Sequence, residues 1–294
     1  MAALAPMASR AYVVGLTGAP GVGKSTTTNA LVTAYRARGA RVGVLAVDPS
    51  SPFSGGALLG DRIRMQDHAG DPDVFIRSMA ARGHLGGLSA SAPQAVRVLE
   101  AAGCEVVLVE TVGVGQSEVE VAALADTTVI VLAPGMGDGI QAAKAGILEI
   151  GDIFVVNKAD RDGAGQTVHD LRHMVSLGER RGPGDWRERV ISCVATTGQG
   201  IEDALEALDA HRVWLGEDRL RERRVRRSRA EIESLAVAAV RQRVAGTPGD
   251  PLKTLAEAVV AGQLSSYAAA DRLLTALADD RGDLATQRGV RHSG

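Results

Sequence analysis

The chain has 294 residues, of which 45% are hydrophobic and 23% are charged, and its formal net charge is −2. This near-neutral charge argues against a general attraction to nucleic acid or to an anionic membrane, and no apolar run reaches the roughly 20 residues of a membrane span. Its two cysteines, Cys104 and Cys193, match neither a zinc-site nor a disulfide spacing, so we expect a soluble, cytoplasmic protein.

Short β-branched runs alternate with helical patterns up to about residue 215. This alternation predicts an α/β fold of the P-loop type, in which helices flank both faces of a mainly parallel sheet. The predicted strands are Tyr12–Thr17, Val42–Val47, Val74–Met79, Val106–Glu110, Thr128–Ala133, Ile153–Asn157 and Val190–Cys193. The predicted helices include Lys24–Arg38, Ala92–Ala102, Ile140–Ile150, Val168–Leu177 and Ile201–His211.

After Trp214 the pattern predicts helices alone. Arg219–Arg243 has helical spacing without Gly or Pro, and two shorter helical stretches follow the break at Gly246–Pro251. We therefore predict a P-loop domain over 1–215 and a C-terminal helical arm over 216–294. Arg219–Arg229 lacks interleaved aromatic residues and has glutamates nearby, which favours a solvated helix or a dimer arm over a nucleic-acid contact.

The first motif is a phosphate-binding loop between a predicted strand and a predicted helix. Its residues fit the pattern GxxxxGK[ST], whose glycines let backbone N–H groups converge on phosphate oxygens. Lys24 supplies a positive charge, and the Ser25 hydroxyl is a ligand for Mg²⁺. We predict that the nucleotide phosphates are bound by Gly18, Ala19, Pro20, Gly21, Val22, Gly23, Lys24, Ser25 and Thr26.

A second motif, of the NKxD type, indicates that the base is guanine. Asn157, Lys158 and Asp160 follow directly after a predicted strand. The carboxylate of Asp160 can accept two hydrogen bonds that guanine offers and adenine does not, so we predict binding of GTP and GDP. The backbone after the next strand, at Cys193, Val194 and Ala195, is a weaker candidate for a second base contact because it diverges from the usual Ser-Ala loop.

Three carboxylates, Asp48, Asp61 and Glu110, stand at strand ends or after a glycine-rich loop. Acidic residues in such positions hold Mg²⁺ directly or through water, so these three and Ser25 are the candidate magnesium ligands. For Asp48, an ordinary turn before Pro49 remains an alternative.

The segment from Glu110 to Gly113 fits a variant ExxG switch. The N–H group of Gly113 would contact the γ-phosphate and report its hydrolysis. Val114 follows, at a place where many regulatory GTPases have a glutamine that orients water. An aliphatic side chain cannot do this, so we predict slow intrinsic hydrolysis that depends on another group or on a partner.

Together these motifs resemble the methylmalonyl-CoA mutase-associated GTPases, the MeaB/ArgK type of the wider metallochaperone-like group of G proteins. The resemblance rests on three long blocks and runs from about residue 12 to residue 245. The blocks are Val47–Arg62, Glu110–Glu118 and Gly146–Asp160.

The resemblance implies a homodimeric GTPase that docks on an adenosylcobalamin-dependent acyl-CoA mutase, gates cofactor loading, and protects or reactivates the mutase. It assigns Asp48, Asp61 and Glu110 to the magnesium site. It also implies a third mobile loop over Gly135–Lys144, in which Lys144 is the charged contact, so that Lys24, Asp61, Glu110 and Lys144 are the candidate catalytic residues. Relatives carry a helical extension before the first strand, where about ten residues stand here, so we expect part of the docking surface to be missing.

Two other functions compete with this one. A metallochaperone GTPase would need a Cys/His cluster, whereas His169 and His173 lack further ligands nearby and fit exposed polar positions better. A small-molecule kinase linked to amino-acid transport would need an acceptor pocket, which no residue pattern marks.

Overall fold

The computed structural model describes residues 11–49, 66–68, 70–81, 92–111, 117–135, 147–177, 182 and 184–289. By internal packing, the chain divides into two compact units, residues 1–228 and residues 229–294. Within the described ranges, no helix combines the length and the apolar character that a membrane crossing requires.

Seven strands of the first unit form one parallel sheet. The aliphatic runs of the central strands are buried on both faces, which is typical of a sheet that helices cover on both sides. The strand order is β3-β2-β4-β1-β5-β6-β7. The strands are β1 (Tyr12–Thr17), β2 (Val42–Pro49), β3 (Val74–Ala81), β4 (Val106–Thr111), β5 (Thr127–Leu132), β6 (Ile153–Val156) and β7 (Arg189–Ser192).

Helices connect most of the strands and form the C-terminal part of the chain. Those of the described residues are α1 (Lys24–Ala37), α2 (Ala92–Ala101), α3 (Ser117–Leu124), α4 (Ile147–Ile150), α5 (Ala164–Ser176), α6 (Ile201–Gly246), α7 (Pro251–Val260) and α8 (Ser266–Gly289). A short 3-10 helix spans Gln66–His68.

The predicted fold class is confirmed. Each predicted strand is present, and its ends differ from the prediction by at most two residues. The largest difference concerns α6, which joins the predicted helices Ile201–His211 and Arg219–Arg243. Gly216 lies between them with φ 54° and ψ −162°, so the helix is broken there even though its two parts follow each other directly.

Different helices cover the two faces of the sheet. Leu31 of α1 and Leu205 of α6 pack against one face. Val96 of α2 and Val121 of α3 pack against the other. Because all seven strands are parallel, their carboxyl ends lie at one edge, where ligands of such sheets bind. The opposite, amino edge is then available for structural contacts.

A buried polar cluster lies at the amino edge. Asp152, just before β6, accepts hydrogen bonds from the N–H group of Thr128 at 2.9 Å and from Arg223 Nη1 and Nη2 at 2.9 and 2.8 Å. His211 Nε2 lies 3.3 Å from its carboxylate. Burial alone would raise the pKa of Asp152, but the hydrogen bonds from His211 and Arg223 outweigh this effect and lower the pKa to about 2.

This lowered pKa predicts a pH-dependent contribution to stability. Its full contribution is present above the unfolded-state pKa of about 4 and is lost as the pH falls toward 2. We expect Asp152→Asn to reduce the free energy of unfolding by about 2 kcal/mol at neutral pH, and the difference from wild type to shrink below about pH 4. Urea unfolding at several pH values measures both quantities.

The control is Asp209→Asn, because Asp209 is half exposed and its ion pair with Arg38 lies at the surface. That change should alter the free energy of unfolding by less than about 1 kcal/mol. A loss in the Asp152 variant that is the same at pH 7 and pH 3 would contradict the assignment.

Candidate functional site

The loop between β1 and α1 is built on glycines that no other residue could replace without strain. Gly18, Gly21 and Gly23 have φ values of 141°, 80° and 93°. A Cβ atom on Gly18 would lie 2.1 Å from Val131 O, and one on Gly23 would lie 2.3 Å from Asn157 Nδ2. Glycine thus allows the loop both its left-handed turns and its close approach to neighbouring strands.

The loop surrounds the side chain of Lys24. Its Nζ atom donates hydrogen bonds to Gly18 O at 2.6 Å and to Ala19 O at 3.0 Å. The next side chain, Ser25, donates from Oγ to Glu110 Oε1 at 2.5 Å, and Glu110 is only 1% exposed at the end of β4. A hydroxyl and a buried carboxylate therefore meet at the mouth of the loop, and both supply the oxygen ligands that Mg²⁺ prefers.

The other predicted magnesium and switch residues are only partly described. Asp48 belongs to β2, whose Ala46 is paired with Glu110, so its backbone lies two residues further toward the carboxyl edge. The side chain of Asp48 lies outside the described residues, and so do Asp61, Gly113 and Lys144. Their roles stay predictions.

Asn157 links the phosphate loop to the base loop. Its Nδ2 donates to Val22 O at 2.9 Å, and its Oδ1 accepts from the N–H group of Ala195 at 3.0 Å. Lys158, with a φ of 58°, donates from Nζ to Gly21 O at 2.6 Å. The two loops at the carboxyl edge are therefore held together by side chains of the NKxD motif.

Asp160 extends from this motif into solvent. Within the described part of the chain, its carboxylate has no hydrogen-bond partner, so both oxygens are available to a ligand. The N–H groups of the following loop differ. Those of Cys193, Val194 and Ala195 already donate to Val156 O, Gln199 O and Asn157 Oδ1. These three residues brace the base loop in this conformation, and their contact with a base stays a prediction.

One pair of the site was missed at the level of sequence. The hydroxyl of Thr111 donates to the hydroxyl of Thr17 at 3.2 Å, and both side chains are fully buried. Thr17 directly precedes the phosphate loop and Thr111 directly follows Glu110. The only available signal was that each threonine adjoins a motif at the end of a buried strand. The pair joins the start of the phosphate loop to the start of the ExxG segment.

A parallel sheet that presents a lysine-bearing phosphate loop and an NKxD loop at the same edge defines the P-loop GTPases. The family model for "Methylmalonyl Co-A mutase-associated GTPase MeaB" matches residues 1–249. The chain therefore belongs to the MeaB family. It is an enzyme that hydrolyses GTP to GDP and phosphate.

Individual proteins agree with this family assignment. A Pyrococcus horikoshii protein with a provisional GTPase name is 46% identical over 92% of this chain and 85% of its own length. The mouse protein "Methylmalonic aciduria type A homolog, mitochondrial" is 40% identical over 67% of this chain and 48% of its own length. A crystal structure titled "LAO/AO transport system kinase" superposes with a TM-score of 0.69 at 29% identity, covering 93% of this chain and 84% of that one.

The exposed carboxylate of Asp160 leads to a prediction about nucleotide specificity. Asp160→Asn should weaken GTP binding by about 2–4 kcal/mol, because an amide cannot accept both hydrogen bonds from guanine. The same change should improve the binding of xanthosine nucleotides, whose ring presents an acceptor where guanine has an amine. Titration with fluorescent nucleotide analogues measures both effects.

The control is Asp162→Asn, which removes the same charge from an exposed position two residues along the chain. It should leave both affinities unchanged. An Asp160 variant that binds GTP as tightly as wild type would refute the predicted base contact.

Proposed function

We propose that this GTPase is a chaperone of an adenosylcobalamin-dependent acyl-CoA mutase of the methylmalonyl-CoA mutase type. In this role it gates cofactor loading and protects or reactivates the mutase. The observation that carries the proposal is the family match over residues 1–249, since that family is described by its association with methylmalonyl-CoA mutase. The name of the mouse relative, which refers to methylmalonic aciduria, supports the same partner.

The phosphate loop would hold the GTP triphosphate. Lys24 already lies inside the curl of the loop, bonded to the carbonyl groups of Gly18 and Ala19. Its ammonium group can turn from these neutral acceptors to the β- and γ-phosphates, which are stronger acceptors because they are charged. The backbone N–H groups at the start of α1 add the favourable field of a helix N-terminus.

A magnesium ion fits the oxygen atoms beside the loop. Ser25 Oγ and the carboxylate of Glu110 would hold it, with Asp48 and Asp61 as further candidates. When bound, Mg²⁺ neutralises charge that develops on the phosphate oxygens. The hydroxyl of Ser25, which now donates to Glu110, would be free to bind a cation through its lone pairs while it keeps this hydrogen bond.

The base loop would select guanine and report its presence to the phosphate loop. Asp160 would accept the two guanine hydrogen bonds, and Asn157 and Lys158 would carry the resulting order to Val22 and Gly21. Val114 offers no group that can orient water, so we expect the mutase or another group to accelerate hydrolysis. This dependence is what a chaperone needs in order to hold its GTP state until the partner is engaged.

A homodimer is part of the proposal. In the second unit, the apolar side chains of Ile232, Leu235 and Val240 recur at helical spacing along α6 and are 67%, 39% and 38% exposed. An apolar stripe of this kind is typical of a helix that packs against another chain.

The two competing functions have weaker support. His169 and His173 are exposed on α5, and the described residues contain no group of three or more His, Cys, Asp and Glu side chains that could hold a metal ion. The kinase title of the similar crystal structure describes that protein. Transfer of phosphate from GTP to an amino acid by this chain would favour a kinase over our proposal.

The chaperone proposal predicts a nucleotide-dependent complex. We expect the protein to co-elute with purified methylmalonyl-CoA mutase in the presence of a non-hydrolysable GTP analogue, and light scattering on the eluate measures the mass of the complex. Lys24→Ala is the matched control, because without the ammonium the triphosphate is held poorly and the nucleotide dependence should disappear. If no cobalamin-dependent mutase is retained in any nucleotide state, the chaperone role is wrong.

A further inference from the structure

The arginine-rich segment of α6 is not the solvated helix that its sequence suggested. Arg223, Arg224 and Arg227, which we call the arginine cluster, are 30%, 16% and 15% exposed. All three turn toward the amino edge of the sheet within the first unit. Their partners could not be read from the sequence, because Asp126 and Asp152 are 71 to 98 residues away along the chain.

Two members of the cluster bind the end of α3. Arg227 Nη1 donates to the carbonyl oxygen of Leu124, the last residue of α3, at 2.6 Å. Arg224 Nη2 donates to the Asp126 carboxylate at 2.7 Å, and Arg227 lies 3.6 Å from the same carboxylate. A cation at the carboxyl end of a helix is favourable, because it satisfies a free carbonyl and complements the helix dipole.

The same cluster reaches the start of β1. The buried carboxylate of Asp126 accepts from the N–H group of Val13 at 3.0 Å, and Arg224 Nη2 donates to Ala11 O at 2.8 Å. The end of α3, the start of β1 and α6 therefore share one hydrogen-bond network, and β1 leads directly into the phosphate loop.

The other end of α3 adjoins the predicted switch. Its first residue, Ser117, follows the ExxG segment and Gly113 by only a few residues. The helix also lies very close to β1, since a Cβ atom on Gly15 would be 2.5 Å from Val121 Cγ1. A two-turn helix packed this tightly moves as a unit, so a displacement near Gly113 is carried to Leu124 rather than absorbed between them.

We propose that Arg224 and Arg227 are positioning residues that couple the nucleotide state to α6 through α3. The inference rests on the proposed function, in which Gly113 contacts the γ-phosphate. Hydrogen bonds to Leu124 and Asp126 that differ between the GTP and GDP states would bias α6. Coupling between two sites is reciprocal, so a change at the arginine cluster must also alter the preference for GTP over GDP.

The arginines are an expensive way to attach a helix if attachment is their only role. Burial lowers the pKa of Arg227, a sign that its charge is poorly solvated in this position. Apolar residues of similar size often anchor a helix as well as buried ion pairs do. Directional, charged hydrogen bonds have the additional property that they are lost sharply when the acceptor moves.

The test compares Arg227→Gln with Arg226→Gln. Arg226 is the next residue on the same helix and is exposed, so its variant matches the change in charge. We expect Arg227→Gln to change the ratio of the GDP and GTP dissociation constants about 3- to 30-fold, and Arg226→Gln to change it less than about 2-fold. Arg227→Lys should restore most of the ratio, because an ammonium can still donate to Leu124 O.

Hydrogen exchange on the wild-type protein provides a measurement that needs no variant. Residues 220–228 should exchange at different rates with a GTP analogue and with GDP bound. If Arg227→Gln lowers only the melting temperature and leaves the nucleotide ratio equal to that of Arg226→Gln, the cluster is a structural anchor and the coupling is refuted. Identical exchange in both states would refute it as well, whereas wild-type protein that binds neither nucleotide would overturn the proposed function instead.

Discussion

The hydrogen bonds of Asn157 are the interaction on which the site depends. One side-chain amide donates to the phosphate loop at Val22 and accepts from the loop after β7 at Ala195. The amide is 3% exposed, so a lost partner would leave a buried polar group unsatisfied. Lys158 adds a second link to the phosphate loop at Gly21. The part that recognises the base and the part that grips the phosphates are thereby one rigid unit, which lets the identity of the base control how the triphosphate is held.

The parallel sheet separates two tasks between its edges. At the carboxyl edge, glycines keep the backbone close to its neighbours, and Ser25 meets Glu110 where a cation fits. At the amino edge, Asp126 and Asp152 gather arginines of α6 and N–H groups of the strands. The first edge requires groups that a ligand can reach, whereas the second requires groups that satisfy one another. Charged residues at the two edges therefore serve opposite purposes in the same sheet.

Local patterns predicted much of this arrangement, and contacts distant in sequence escaped them. Unbroken aliphatic runs predicted the strands, and the spacing of Gly18, Lys24 and Ser25 predicted the phosphate loop, because the determinants of both lie within a few consecutive residues. The arginines of α6 were misread as solvated, since the helical pattern does not show that Asp126 lies beside them. The N–H groups of Cys193 to Ala195 show a similar limit, because the sequence does not reveal which protein acceptors they already have.

The central claim is that this edge of the sheet selects guanine over adenine. Calorimetric titration of the wild-type protein with GTP and with ATP, each with Mg²⁺, tests this claim most directly. The account predicts that GTP binds at least about 100-fold more tightly, because adenine cannot donate the two hydrogen bonds that Asp160 accepts. Equal affinity for the two nucleotides, or binding of neither, would contradict it.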